Sequence, residues 1–266
     1  RALLILDGLE PLQYPPSSPL AGQLKDPGVE ALLKGLAARN AGLCVVTTRE
    51  KIAEHLNAFR GTSFLEWPLE RLSTAAGGAL LEKLQVKGIR AELEGLVDEV
   101  AGHALTLDLI GSYLRDAHGG DVRKLDLVDL DEADREESGG HAFRAIATYE
   151  RWLAGEAASE RQLAVLRLLG LFDRPADRGC LAALRNEPVI EGLTEPLVGL
   201  SSPQWEITIS RLADCGLLAR TPDGGLDAHP LIREFFAKRL RESQPANWRA
   251  AHGRLFEHLR DSTERF

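Results

Sequence analysis

The chain opens with Arg1-Ala2-Leu3-Leu4-Ile5-Leu6-Asp7-Gly8-Leu9-Glu10, an apolar run that is followed at once by carboxylates. A continuous apolar run of this length is typical of a strand buried in a parallel sheet. Asp7 would then lie at the carboxyl edge of that sheet, which is where open α/β sheets bind their ligands. The stretch therefore predicts a buried parallel strand that delivers a metal-binding carboxylate to the sheet edge.

The next sixty or so residues alternate between helical and strand-like patterns. Apolar residues spaced as on one helix face run through residues 29–38, and residues 43–48 predict a second short buried strand. A third short strand is predicted at residues 63–67, before Pro68. This alternation is typical of a parallel α/β sheet, so residues 1–72 are assigned to an α/β domain.

Beyond residue 72 the pattern becomes mostly helical. Residues 73–125 form a predicted helical domain that starts at the N-cap Ser73. Residues 126–140 are acidic and then Gly-rich, which predicts a solvated linker. Helices and an Asp-Gly turn between two short strands then predict a winged-helix domain at residues 141–243. An amphipathic helix at residues 248–259 has no evident packing partner.

Composition restricts the class of protein. The formal net charge of −8 argues against broad binding of nucleic acid, and no apolar stretch is long enough to span a bilayer. The three cysteines stand apart from one another, which predicts buried free thiols in a reducing cytoplasm. Methionine is absent, even at position 1, which predicts that the chain is trimmed at its N-terminus.

Two further sets of polar residues are candidates for chemistry. Thr47-Thr48-Arg49 follows the second strand, and adjacent parallel strands would bring it to the same edge as Asp7 and Glu10. A guanidinium there can contact a γ-phosphate, although a solvated arginine after a strand is the plainer alternative. His229 lies between the hairpin and a helix N-terminus, where anions bind well, but a structural role is equally open. Five histidines are predicted to lie on the surface: His55, His118, His141, His252 and His258.

The ordered motifs resemble those of the STAND nucleotidases, the NB-ARC and NACHT-like switches, in a bacterial style. Residues 6–10 resemble their Walker B strand and residues 46–49 their sensor-1 strand. Gly102-His103-Ala104-Leu105 is similar to their Gly-x-Pro-Leu motif, whose Pro packs on adenine. Ala228-His229-Pro230-Leu231 is similar to their Met-His-Asp-Leu motif, whose His contacts the β-phosphate of ADP. The chain departs from the family at Ala104 and Pro230, and it has no Gly-Lys pair and hence no Gly-x-x-x-x-Gly-Lys-Ser/Thr phosphate loop.

The resemblance implies an α/β plus α architecture: the C-terminal half of a parallel-sheet P-loop NTPase domain, a helical domain, a winged-helix domain and, at residues 244–266, the start of a TPR-like sensor region. It implies ADP or ATP with Mg²⁺ in the intact protein. Asp7 would hold the magnesium ion through water, and Glu10 would orient the attacking water. The implied nucleotide-binding residues are Thr48, Arg49, Gly102, Ala104 and His229. Without the phosphate loop the chain is expected to be inactive alone, as part of a slow ATPase that controls signalling.

The expected partners are nucleotide and, on activation, other copies of the same protein, with no membrane partner. Two alternatives remain open. One is a scaffold or interaction module without catalysis. The other is a DNA-binding regulator whose third winged-helix helix would enter the major groove. That helix carries Glu206 and Asp214 against Arg211, so contact with phosphates is unfavourable and no DNA partner is expected.

Overall fold

The computed structural model describes residues 2–14, 18–48, 50–52, 54–69, 71–127, 140–155 and 159–263. The chain divides into two compact units, Arg1–Glu70 and Arg71–Phe266, and each has a hydrophobic core of its own. Arg49 and most of the predicted acidic linker, residues 128–139, lie outside the described residues.

The first unit is a small α/β body. Strand β1 (Leu3–Leu6) pairs in parallel with β2 (Leu43–Val46), in register from Leu3 opposite Leu43 to Leu6 opposite Val46. Helix α1 (Pro27–Ala38) connects the strands, as a parallel pair requires. Its N-cap Asp26 accepts hydrogen bonds from the backbone nitrogens of Gly28 and Val29. Short 3-10 turns follow the strands at Glu10–Leu12 and Glu54–Phe59.

The predicted third strand at residues 63–67 is wrong. Within the described residues that segment forms only an isolated bridge, between Arg60 and Phe64. The backbone nitrogen of Phe64 donates to the Phe59 carbonyl, and the Phe64 carbonyl accepts from Gly61. The segment therefore closes locally as a turn, because its backbone groups bond to near neighbours rather than to the sheet.

The prediction that β1 and β2 are buried strands is also wrong for one face of the sheet. The side chains of Leu3, Ile5 and Leu43 are 62%, 58% and 60% exposed. Leu6 and Val46, on the other face, pack against the small core of Leu9, Leu33 and Leu56. The small core packs on only one face of the two-stranded sheet, so the side chains on the other face stay exposed.

Where the structure describes it, the second unit is helical apart from one hairpin. It begins with helices α2 (Thr74–Lys83), α3 (Arg90–Glu99) and α4 (Ala104–His118), and α5 (Gly140–Gly155) follows the undescribed residues 128–139. They are followed by α6 (Glu160–Leu169), α7 (Arg178–Leu184) and α8 (Ser202–Asp214). Strands β3 (Ala219–Arg220) and β4 (Leu226–Asp227) then pair antiparallel, which confirms the predicted hairpin. Helices α9 (Pro230–Ser243) and α10 (Pro245–Thr263) complete the unit.

One continuous core joins these helices. Helix α5 packs against α4, α6 and α9. Phe143 and Tyr149 of α5 and Phe236 of α9 are among its largest fully buried side chains. The predicted N-cap at Ser73 is confirmed, since its side chain accepts from the backbone nitrogen of Ala76. No helix among the described residues is both long enough and apolar enough to cross a membrane.

Helix α10 has packing partners that were not evident from the sequence. It packs on α7 and α9 and buries Ala251 and Leu255. Arg254 donates to the carbonyl oxygens of Leu184 (3.2 Å) and Asn186 (2.9 Å), at the end of α7. The sequence pattern showed an apolar stripe without showing what covers it, because the partner helices are distant in the chain.

Candidate functional site

Asp7 and Thr47 meet at the carboxyl edge of the β1–β2 sheet. Thr47 follows β2, and its hydroxyl donates to Oδ1 of Asp7 (2.5 Å) and accepts from the backbone nitrogen of Gly8 (2.9 Å). The backbone nitrogen of Leu9 donates to the Thr47 carbonyl (3.0 Å). Three bonds from one residue therefore hold the turn after β1 in place and orient the Asp7 carboxylate.

Glu10 lies close to the same turn. Gly8 adopts a φ of +72°, and a Cβ on it would lie 3.6 Å from Oε2 of Glu10. Asp7 is exposed and Glu10 is partly buried at the start of its 3-10 turn. Among the described residues neither acid joins a three-ligand metal cluster. That is compatible with Mg²⁺, which takes one or two carboxylates and completes its shell with water and phosphate oxygens.

Thr48 faces a residue that the sequence analysis missed. Its hydroxyl donates to Oε1 of Gln13 (2.5 Å), and Nε2 of Gln13 donates to the Gly22 carbonyl (3.1 Å). Gln13 is 2% exposed. Its amide thus ties the loop after β2 to the loop before α1. A glutamine between Leu12 and Tyr14 carries no periodic signal that could have predicted its burial. The role of Thr48 in binding nucleotide stays a prediction, and Arg49 lies outside the described residues.

Gly102 has a structural role at the junction before α4. It adopts a φ of +66°, and a Cβ on it would lie 2.2 Å from the carbonyl oxygen of Leu72. The backbone nitrogen of Leu72 donates to the Gly102 carbonyl at 2.9 Å. The approach of the two backbones requires a residue without a side chain, and the left-handed conformation favours glycine for the same reason. Packing therefore accounts for this glycine whether or not it contacts a ligand.

His103 and Ala104 form the start of α4. His103 is the N-cap, and its Nδ1 accepts from the backbone nitrogen of Thr106 (3.3 Å). Burial, and then the positive charge of Arg71, lowers the pKa of His103 below its ordinary value. Ala104 is exposed and is the first residue of the helix. Proline is readily accepted at that position, so alanine and proline are compatible with the same backbone there.

His229 is the N-cap of α9. Its Nδ1 accepts from the backbone nitrogen of Leu231 (3.2 Å), which in the neutral ring assigns the hydrogen to Nε2. Its ring is exposed at the helix N-terminus, the predicted position. Asp227 forms an ion pair with Arg233, whose side chain is largely buried, and this pair anchors β4 to α9. The local fold thus fixes the orientation of the ring.

Four of the other histidines, predicted to lie on the surface, are less exposed than expected. His118, His141, His252 and His258 are each partly buried, and the side chain of His55 lies outside the described residues. Nδ1 of His141 is buried without a hydrogen-bond partner in the described chain. Burial, followed by the charges of Arg71 and Arg144, lowers the pKa of His141.

The described residues thus bring Asp7, Glu10 and Thr47 to one sheet edge. Thr48 lies next to that edge, and all four belong to the first unit. Gly102 and Ala104 lie at the start of α4, and His229 lies at the start of α9, both in the second unit. A nucleotide site that uses residues of both units stays a prediction.

Comparison with known proteins identifies the fold. No family model and no curated protein matches the chain. Among solved structures it is similar to the Signal Transduction ATPase with Numerous Domains (STAND) protein PH0952 from Pyrococcus horikoshii, which has a tetratricopeptide repeat sensor. The TM-score is 0.58 at 18% identity, over 98% of this chain and 31% of that one. A Walker-type ATPase of Pyrococcus abyssi aligns with a TM-score of 0.29 at 15% identity, over 88% of this chain and 62% of that one.

The first of these likenesses shows a shared fold. The small parallel sheet and the helices that follow it share the fold of the matched part of that STAND protein. The chain spans about a third of the length of the STAND protein that it matches.

Proposed function

We propose that the chain is part of a STAND-type signalling ATPase switch that binds ADP and ATP in the intact protein. One observation carries the proposal. An acidic residue, Asp7, is held by a threonine hydroxyl at the carboxyl edge of a parallel sheet, in a chain that shares the fold of a STAND ATPase over 98% of its length. That edge is where α/β sheets of this kind bind their ligands.

In this proposal Asp7 holds Mg²⁺ through water and Glu10 orients a water molecule. The oxygen donors at this edge fit Mg²⁺, which prefers hard oxygen ligands. Bound with a nucleotide, the ion neutralises phosphate charge. The Thr47 hydroxyl fixes one oxygen of Asp7, and a carboxylate held in this way orients its ligand without further ordering. Thr48 and Arg49 are proposed to contact the phosphates, and Gly102, Ala104 and His229 to contact the nucleotide from the second unit.

The uncovered face of the β1–β2 sheet indicates that additional polypeptide packs against it in the intact protein. Parallel sheets are normally covered on both faces, yet the side chains of Leu3, Ile5 and Leu43 are mostly exposed. We infer that polypeptide outside these 266 residues adds strands and cover to this sheet. The same polypeptide would supply the phosphate-binding loop, because no Gly-Lys pair occurs in the chain.

The proposed switch uses the winged-helix domain as its moving part, with the hinge around the acidic linker at residues 126–140. Residues 141–243 would form a winged-helix domain, with His229 contacting the β-phosphate of ADP. Exchange of ADP for ATP would break that contact and expose a surface for assembly with other copies. Such a shift requires that ADP and ATP differ in their relative affinity for the arrangement with the His229 contact and the arrangement without it.

Calorimetric titration with ADP and with ATP plus Mg²⁺ tests the proposal. A longer polypeptide that contains a phosphate-binding loop should bind both nucleotides, and the 266-residue chain alone should bind neither tightly. Asp7→Asn in the longer polypeptide should remove the magnesium-dependent part of ATP affinity. Asp98→Asn is a matched control, since Asp98 is also an exposed carboxylate that accepts from a threonine hydroxyl, that of Thr74. If the longer polypeptide releases no heat with either nucleotide, the proposal is wrong.

An interaction module without catalysis is the second candidate. It is favoured by the apolar side chains of Trp67 and Leu69, which are 78% and 92% exposed. Failure of the longer polypeptide to bind nucleotide would support it. DNA binding has no such support, because Arg220 of the hairpin pairs with Glu206 of α8 at 2.7 Å and is thereby neutralised.

A further inference from the structure

Three metal-ligating side chains from distant parts of the sequence meet at the start of α7. They are Asp177, Cys180 and His258, and one ligand atom from each lies within 4.8 Å of the other two. Asp177 is the N-cap of α7, Cys180 lies in its first turn, and His258 lies on α10. No other group of three such ligands is this close in the part of the chain that the structure describes.

We propose that Asp177, Cys180 and His258 bind a divalent cation of the zinc class, which joins α10 to α7. The set of one oxygen, one sulfur and one nitrogen ligand is typical of zinc, whereas a thiolate disfavours magnesium and calcium. Zinc bonds of about 2.0–2.3 Å in a tetrahedron place ligand atoms roughly 3.5 Å apart. Small side-chain rotations would therefore close the site, and water would complete the tetrahedron.

Local hydrogen bonds already orient two of the ligands. Oδ1 of Asp177 accepts from the backbone nitrogens of Gly179 (2.6 Å) and Cys180 (3.2 Å), which fixes the carboxylate beside the thiol. The cation would use the second carboxylate oxygen, so binding and helix capping do not compete.

The position of His258 depends on a glycine. Nε2 of His258 lies 3.1 Å from the place that a Cβ on Gly179 would occupy, so a side chain at this position would displace the ring by a few tenths of an ångström. Arg254, one turn earlier on α10, donates to the Leu184 carbonyl at the end of α7 (3.2 Å). The packing of α10 against α7 therefore carries the imidazole to the thiol and carboxylate.

Binding of a cation at this site must offset the cost of deprotonating the Cys180 thiol. Burial, and then the charge of Asp177, raises the pKa of the Cys180 thiol. A carboxylate beside a buried thiol opposes formation of a thiolate, and a bound divalent cation reverses that effect. The inference concerns the second unit alone and is independent of nucleotide binding.

Titration of the reduced 266-residue chain with Co²⁺ tests the site, because a thiolate bound to Co²⁺ gives a charge-transfer absorption band. We expect a band that saturates at a single site and disappears when Zn²⁺ is added. Cys180→Ser should abolish the band, and His258→Ala should weaken Co²⁺ affinity by about 100-fold or more. Cys215→Ser is the matched control and should keep the band, since the Cys215 thiol donates to Asp116 instead (3.2 Å).

Two further measurements separate loss of the site from loss of folding. Zn²⁺ should raise the unfolding temperature of the wild type and of Cys215→Ser, but not that of His258→Ala. Circular dichroism should show that His258→Ala keeps its helices, because this side chain lies on the partly exposed face of α10. A band that never saturates, or Co²⁺ affinity that is unchanged in His258→Ala, would overturn the proposal.

Discussion

Replacing Gly102 with alanine should strongly destabilise the second unit. Gly102 adopts a φ of +66°, and a Cβ on it would lie 2.2 Å from the Leu72 carbonyl oxygen. Gly119 offers a matched control, with a φ of +62° and nothing within 4 Å of the place that a Cβ would occupy. The two substitutions share the conformational cost and differ only in the clash.

The size of each effect follows from the geometry. Holding a residue with a Cβ in the left-handed backbone conformation costs about 1 kcal/mol. Gly119→Ala should therefore lower the free energy of unfolding by about 1 kcal/mol. At Gly102 the Leu72 backbone must also move by about 1 Å to reach a normal C···O separation. That movement disrupts the 2.9 Å bond from the Leu72 nitrogen to the Gly102 carbonyl, which adds about 1–3 kcal/mol. Gly102→Ala should therefore cost about 2–4 kcal/mol in total.

Urea unfolding followed by far-ultraviolet circular dichroism measures both variants. The difference between them isolates the clash, because the backbone penalty cancels. Equal destabilisation of the two variants would refute the argument that close backbone approach requires Gly102. Contact with a ligand would then be the better explanation for glycine at this position.

Three further substitutions test other parts of the structure. Thr47→Val should speed hydrogen exchange at the Gly8 amide about fivefold, because the loss of one exposed hydrogen bond costs about 1 kcal/mol, and Thr47→Ser should restore protection. The pKa of His103 is lowered from 6.5 in the folded chain, so the unfolded chain binds the proton first as pH falls. The urea midpoint should thus drop between about pH 7 and pH 5, and less so in His103→Asn, which keeps a capping acceptor. Phe236→Ala, at a side chain with 0% exposure, should cost about 3–5 kcal/mol by urea unfolding. Phe256→Ala, at a side chain with 67% exposure, should change stability by less than about 0.5 kcal/mol.

Local patterns predicted the features that local chemistry determines. The Asp223-Gly224 turn indicated the hairpin, and Ser73 indicated a helix start, because turn geometry and capping need particular residues at particular positions. The parallel pairing of the strands before Asp7 and Thr47 followed from two apolar runs separated by a helix.

Features that depend on distant parts of the chain were not predictable in this way. The burial of Gln13 arises because loops on either side of α1 converge on its amide. The meeting of His258 with Cys180 arises because α10 packs back on α7, and neither helix carries a signal for the other. The segment at residues 63–67 has strand-like composition, yet it lacks a partner in the sheet, and a strand exists only through its partner.

The two halves of the proposed nucleotide site have different structural requirements. The Asp7 carboxylate is oriented by Thr47, so it needs only the pairing of β1 with β2, which the first unit already contains. A phosphate loop would need further strands beside this sheet. The uncovered face provides a driving force for a layer that covers it, since fully burying a side chain such as Leu3, Ile5 or Leu43 contributes about 1.5–3 kcal/mol. The proposed magnesium-binding edge should therefore keep its geometry when further strands and a covering layer are added, and this addition should increase phosphate affinity without rearranging Asp7.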